Sequence, residues 1–259
     1  RPFFFSSTSP ARAFRPTDLH QPALNKSRMK VQKNFTAVIL ARQGSKGIRN
    51  KNLSVLGGRT LLEIAIQTAQ KSGAFDRVFV STDGKSVADE AIRCGALVHW
   101  RDPEFAKDNT TSLAALQEFV AKHPDVTNVA LIQCTSPFNK PKYLREAHQM
   151  MLEENLDSVF AVARSWKLRW SCTGEALNLD PYNRPRRQDW PGELVETGMF
   201  YFTSRDLLER GLIQGGKMKH YEIDHVDAID IDTHEDLVVA EAIIKNRSTC
   251  VDKKEDQQN

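Results

Sequence analysis

From residue 35 onward the chain alternates short β-branched or apolar runs with amphipathic segments, and few folds satisfy that pattern. Residues 35–40, 77–81, 97–99, 128–133 and 158–163 read as strands. Residues 60–72, 85–94, 112–122 and 141–154 read as helices, the first with Leu62, Ala65, Ile66 and Ala69 on one face and the last with proline in its first turn. The strands are apolar throughout rather than alternating, which suits a parallel sheet covered on both faces. The expectation is an α/β fold with a doubly wound, mostly parallel sheet. Past residue 164 the alternation breaks into an irregular stretch rich in Arg, Trp and Pro. Residues 198–203 are strand-like again, and residues 204–223 are expected to form a small projecting arm for pairing with a second copy. A last helix starts after Thr233, which can cap it reciprocally with Asp236, and a polar tail is expected over 247–259.

Charge narrows the function. Residues 1–34 hold seven Lys or Arg against the single acid Asp18, so the other 225 residues carry about −3 of a formal total of +3. A mildly acidic body argues against nucleic acid as a partner. No apolar run approaches the ~20 residues that span a bilayer, so no membrane span is expected. The four cysteines lie far apart with no Cys-x-x-Cys pair, which fits a reducing compartment and neither a zinc site nor a disulfide framework. Residues 1–34 read as a disordered or a targeting leader, and Met29 is an alternative start.

The densest chemical signal follows the first strand. Val38-Ile39-Leu40 runs into a loop with Gly44, Gly47 and the cations Arg42, Lys46, Arg49 and Lys51, followed by Asn52. Backbone N–H groups and fixed positive charge of this kind suit a triphosphate. The Gly-Lys-Ser/Thr ending of the ATPase phosphate loop is absent. Three further strand ends are polar: Ser81-Thr82-Asp83, Arg101, and Gln133-Cys134-Thr135-Ser136-Pro137. Ligands in open α/β sheets bind at the carboxyl ends of strands, so four polar ends suggest one pocket. Ser112 precedes an apolar-periodic segment and is suited either to cap it or to bind a ligand. Arg184-Pro185-Arg186-Arg187-Gln188 is a second cationic cluster, and three arginines so close need solvent or an anion. If residues 227–233 form a strand, Asp230 and Asp232 share one face, roughly 7 Å apart at Cα, within reach of one cation.

The loop, the Ser-Thr-Asp and Gln-x-Thr-Ser-Pro strand ends, the arginine cluster and the paired aspartates, in this order over about 35–246, resemble the CMP-sialic acid synthetases (N-acylneuraminate cytidylyltransferases). The resemblance implies a Rossmann-like nucleotidyltransferase domain in which the anomeric 2-hydroxyl of a sialic acid, Neu5Ac or KDN, attacks the α-phosphate of CTP with Mg²⁺ and releases pyrophosphate. By the same resemblance Arg42, Lys46, Arg186, Asp230 and Asp232 carry the reaction. Lys51, Asn52, Ser81, Arg101, Thr110, Ser112, Gln133, Thr135, Ser136, Arg169 and Gln188 contact substrates, and the two aspartates hold the metal. It further implies a homodimer or dimer of dimers, and a nuclear or cytosolic location with the arginine cluster as an import signal. The 259 residues are expected to lack the haloacid-dehalogenase-like C-terminal domain of vertebrate members. Gln43 departs from the glycine that animal members often carry. The alternative to an enzyme is a catalytically silent nucleotide-binding or regulatory protein of the same fold.

Overall fold

A computed structural model describes residues 34–45 and 47–255. The expected leader, apart from Asn34, lies outside the described residues, as do Lys46 and the last four residues of the expected tail.

The strands are β1 (Phe35–Leu40), β2 (Val55–Leu56), β3 (Arg59–Thr60), β4 (Arg77–Thr82), β5 (Leu97–Trp100), β6 (Asn128–Ile132), β7 (Ser158–Ser165), β8 (Glu193–Ser204) and β9 (Met218–Ile223). The helices are α1 (Leu61–Ser72), α2 (Lys85–Arg93), α3 (Ser112–Lys122), α4 (Pro141–Glu153), α5 (Arg205–Glu209) and α6 (His234–Glu255). Seven strands form one sheet in the order β5-β4-β1-β6-β8-β7-β9, and β2–β3 is a separate short hairpin. β5, β4, β1 and β6 run parallel, β8 is antiparallel to both its neighbours, and β9 is parallel to β7.

The sheet is covered on both faces, as its continuous apolar strands require. On one side Leu61, Leu62, Ile66, Leu144 and Met151 pack against Ile39, Val80 and Phe200; on the other Leu116, Phe119 and Val120 meet Val38, Phe79 and Leu131. Each such fully buried large side chain contributes about 1.5–3 kcal/mol. The expected α/β sheet is therefore present, and no described helix is long and apolar enough to cross a membrane.

Two local expectations differ. Residues 204–223 do not project: α5 lies beside α3, and Met218–Ile223 is the edge strand of the sheet, paired with β7 from Ser158↔Met218 to Ala163↔Ile223. Its polar residues Lys219, His220 and Glu222 suit an edge, where charge discourages further strand pairing. The irregular stretch expected past residue 164 is present, as an excursion over 166–192, between the extended ends of β7 and β8. The expected tail begins inside α6, because no Gly or Pro follows Asn246 to stop the helix before Glu255. Its start follows the sequence: Asp236 accepts from the backbone N–H of Asp232 and Thr233 at 3.0 and 2.8 Å, and the Asp236 N–H donates to Thr233 Oγ1.

Candidate active site

Because β5, β4, β1 and β6 are adjacent and parallel, three of the four polar ends, those after β1, β5 and β6, line one cleft of about 440 Å³, whereas none of Ser81, Thr82 and Asp83 after β4 lines it. Arg42, Lys51, Asn52, Arg101, Thr110, Ser112, Gln133, Thr135 and Asp232 all line it. Of the residues expected to bind or react, these nine are brought together there.

The loop after β1 is shaped by three contacts. Asn50 adopts left-handed backbone (φ 54°), which asparagine tolerates better than most residues, and starts the short 3₁₀ turn Lys51–Leu53. The buried Asn52 amide donates to the Arg42 carbonyl at 3.1 Å, closing the loop on itself. Gly47 passes so near the last lining residue that a Cβ there would sit 2.8 Å from the Asp232 carbonyl oxygen. The departure at Gln43 is accommodated locally: its N–H donates to Asp83 at 2.9 Å and its side chain occupies the space left by Gly84.

Charge is arranged unevenly around the cleft. Arg42 pairs with Asp108 and Lys51 with Asp232 at 2.9 Å. Arg101 is different. Only 7% exposed, its guanidinium donates to Ser81 Oγ at 3.0 Å and to the Ser81 carbonyl at 2.6 Å. No carboxylate among the described residues forms an ion pair with it, and burial holds its pKa below the usual arginine range. A buried, unneutralised guanidinium at a cleft wall is a ready anion site. Ser81 thus positions Arg101 rather than lining the cleft.

Ser112 is not the helix cap. Thr111 takes that place, its hydroxyl accepting from the Ala114 N–H at 3.2 Å, which leaves Ser112 on the cleft wall. Ser136 is buried and does not line the cleft. Residues 228–232 form no regular strand, so the expected alternation does not place the acids; they are held instead by the Ile231 N–H, which donates to the Thr135 carbonyl at 2.8 Å. Crowding by protein raises the Asp230 pKa; the neighbouring Asp232 charge adds to this, and Thr135 and Lys51 oppose it. Asp232 lines the cleft and Asp230 lines neither cleft; the two carboxylates, each within electrostatic reach of the other, are of the type that suits a hard divalent cation such as Mg²⁺. Glu63, Glu90 and Cys94 also lie within 4.8 Å of one another, but Arg93 donates to both glutamates at 2.6–2.8 Å and Thr60 to Glu90 at 2.6 Å. Those carboxylates are satisfied without a metal.

The excursion builds a second cleft, of about 670 Å³, that includes Trp166, Arg169, Arg187, Thr197, His225 and Ala228. It is linked to the first by the segment from His225 to Asp232. Arg169 lies here, in a two-point pair with Glu193 at 2.8 and 3.1 Å. Arg186 and Gln188 line neither cleft: Arg186 is exposed and pairs with Asp189 at 2.5 Å, and Gln188 is exposed in the turn. Arg187 lines the cleft instead, its guanidinium 5.3 Å from the Trp166 ring centre and in no ion pair among the described residues. The cluster was legible in sequence; which of its arginines turns inward depends on the 3₁₀ turn Arg187–Asp189, which composition does not reveal.

The family model described as Cytidylyltransferase matches residues 36–256. N-acylneuraminate cytidylyltransferase A of Danio rerio is 43% identical over 231 residues, covering 86% of this chain and 54% of that protein. N-acylneuraminate cytidylyltransferase of Oncorhynchus mykiss is 45% identical over 217 residues, covering 81% and 50%. The chain thus spans about half the length of these curated relatives. Among solved structures, CMP:2-keto-3-deoxy-manno-octonic acid synthetase complexed with CTP shares the fold at a TM-score of 0.64 and 19% identity, covering 83% of this chain and 99% of that one. With its sheet, its strand-end cleft and this match over nearly all the described residues, the chain belongs to the cytidylyltransferase family.

Proposed function

We propose that this chain forms CMP-sialic acid and pyrophosphate from CTP and an N-acylneuraminate, Neu5Ac or KDN. The observation that carries the reading is the convergence of Arg42, Lys51, Asn52, Arg101, Gln133 and Asp232 on one strand-end cleft, together with the N-acylneuraminate cytidylyltransferase relatives. Arg42, Lys46 and Lys51 neutralise the triphosphate and the charge that grows on departing pyrophosphate. Arg101 adds a buried positive charge whose position Ser81 fixes in advance. Asn52, Ser112 and Gln133 offer neutral hydrogen-bonding groups for the cytosine and ribose. In the second cleft Arg187, with Arg169 beside it, grips the sugar carboxylate and orients the 2-hydroxyl toward the α-phosphorus. Asp230 and Asp232 would hold Mg²⁺, which when bound supplies Lewis-acid charge to the triphosphate and eases deprotonation of the hydroxyl.

A homodimer, or a dimer of such dimers, accompanies this reading. Its support is the excursion over 166–192, which leaves Trp170, Leu177 and Tyr182 exposed, Tyr182 completely. Sedimentation as a monomer at full activity would rule the dimer out. A nuclear or cytosolic location is supported by the exposure of Arg184, Arg186 and Arg187. Imaging a tagged chain with these three changed to alanine tests it, since retained nuclear signal excludes them as the import element.

The test of the reaction is pyrophosphate release from CTP and Mg²⁺ with Neu5Ac, KDN, KDO or no sugar. Release that requires Neu5Ac or KDN is the expected outcome. A folded protein that binds CTP yet releases nothing with any acid would be a silent nucleotide-binding relative.

A further inference from the structure

Asp227 is a wholly buried carboxylate outside both clefts. Three donors from two helices converge on it. Lys140 Nζ, at the start of α4, reaches its Oδ2 at 2.5 Å, and the Tyr143 hydroxyl donates to the same oxygen at 2.6 Å. Arg247, from α6, donates to Oδ1 at 2.7 Å while lying 4.8 Å from the Phe138 ring centre. The Tyr143 oxygen also accepts from the Asp224 N–H at 3.4 Å, fixing the turn just upstream.

Buried ionic knots of this kind add little net stability compared with a well-packed apolar replacement. What the knot does supply is position. Asp230 is three residues downstream, so its Cα lies within about 10 Å of that of Asp227 even with the chain fully extended. The next pin is the Ile231 N–H on the Thr135 carbonyl, and Ile231 itself is fully buried. Asp230 is therefore strung between two fixed points, with Asp232 just beyond the second.

We propose that Asp227 is a positioning residue for the metal-binding acids, acting through the tether 227–231, and that Arg247 extends this control to α6. The inference rests on the reading of Asp230 and Asp232 as the cation ligands.

The test measures Mn²⁺ binding to the protein–CTP complex by the loss of the free-ion electron paramagnetic resonance signal. CTP affinity without metal is measured in parallel by calorimetry. Asp227→Asn is expected to weaken Mn²⁺ binding at least tenfold, and Arg247→Gln about three- to tenfold, with metal-free CTP affinity within twofold of the parent. Ser158→Ala, which removes a buried hydroxyl bonded to Gly215 in a part of the sheet remote from Asp227 in sequence, serves as the destabilised control. It should lower the melting temperature and leave Mn²⁺ binding unchanged. Should Asp227→Asn not fold, Arg247→Gln and Tyr143→Phe decide the matter. Mn²⁺ affinity within twofold of the parent in the folded variants, or an equal loss in the Ser158 control, overturns the inference. Asp232→Asn separates the two levels: if it leaves Mn²⁺ binding intact, the ligand reading itself fails; if it weakens binding while the Asp227 and Arg247 variants do not, only the positioning role fails.

Discussion

The two clefts are built on different principles. In the strand-end cleft the recognition groups belong to the sheet or are locked to it: Arg101 and Asn52 are buried, and each is fixed by a backbone carbonyl. In the excursion cleft the arginines stand on exposed strand ends and loops, and two of them are already matched, Arg164 to Glu222 and Arg169 to Glu193. On the proposed reading, a nucleotide meets two fixed groups, Arg101 and Asn52, but must compete with Asp108 for Arg42 and with Asp232 for Lys51. On the same reading, a carboxylate must compete with Glu193 for Arg169, whereas Arg187 gives up only a stacking contact. The difference teaches that a cationic cluster is not a uniform resource: in the excursion cleft the arginine lacking a resident acid, Arg187, is the one most readily available to an anion.

Breaking the strand-end cleft should have the largest effect. Arg42→Ala and Asp232→Ala are each expected to lower kcat/KM by about 10³, the scale for loss of one preorganised charge at a transition state. Pyrophosphate release reads this, and a tenfold loss or less would mean that the cleft is not where the reaction occurs. Next comes the excursion cleft. Arg187→Ala should raise KM for the acid about 10- to 100-fold, the worth of a charge-assisted hydrogen bond, and leave KM for CTP unchanged. Arg186→Ala should stay within about twofold on the same single-residue comparison. Equal effects at the two arginines would erase the distinction drawn between matched and unmatched guanidinium groups.

Smaller effects sharpen the picture. Ser81→Ala removes one of the hydrogen bonds that hold Arg101, and at about 1 kcal/mol CTP should bind about fivefold more weakly by calorimetry. The smallest is seen in stability rather than activity. Burial opposes the charge of Asp227, yet Lys140, Tyr143 and Arg247 prevail and hold its pKa below the ordinary carboxylate value. With its folded pKa depressed, Asp227 contributes stability that is present above its unfolded pKa, about pH 4, and is lost as the pH falls through the folded value. Asp227→Asn should therefore flatten the acid limb of the melting-temperature profile below about pH 4 relative to the parent.

Much of the strand-end cleft was readable in advance because its information is local. A strand followed by a polar end is written in consecutive residues, and parallel neighbours bring such ends together without further instruction. Thr233 and Asp236 likewise announced a helix start that the structure realises on both sides of the cap. The features that were not legible depend on distant partners. Met218–Ile223 is polar and short, and only pairing with β7 some sixty residues earlier makes it part of the sheet rather than an arm. The segment carrying Asp230 and Asp232 has no strand ladder, and its shape depends on Thr135 and Asp227. The choice of Arg187 over Arg186 turns on one residue of phase in a 3₁₀ turn.

The place of β8 in the sheet also sets an order of assembly. β7 precedes β8 in the chain, yet β8 must enter between β7 and β6. During synthesis, elements become available from the N-terminus onward at about 5–20 residues per second. The four parallel strands are in hand once Ile132 has been made, whereas Asp232 follows a hundred residues later. For about 5–20 seconds at those rates, the cationic residues of the cleft have been made and Asp232 has not. The acid that lines the cleft thus comes from a segment made after every strand of the sheet.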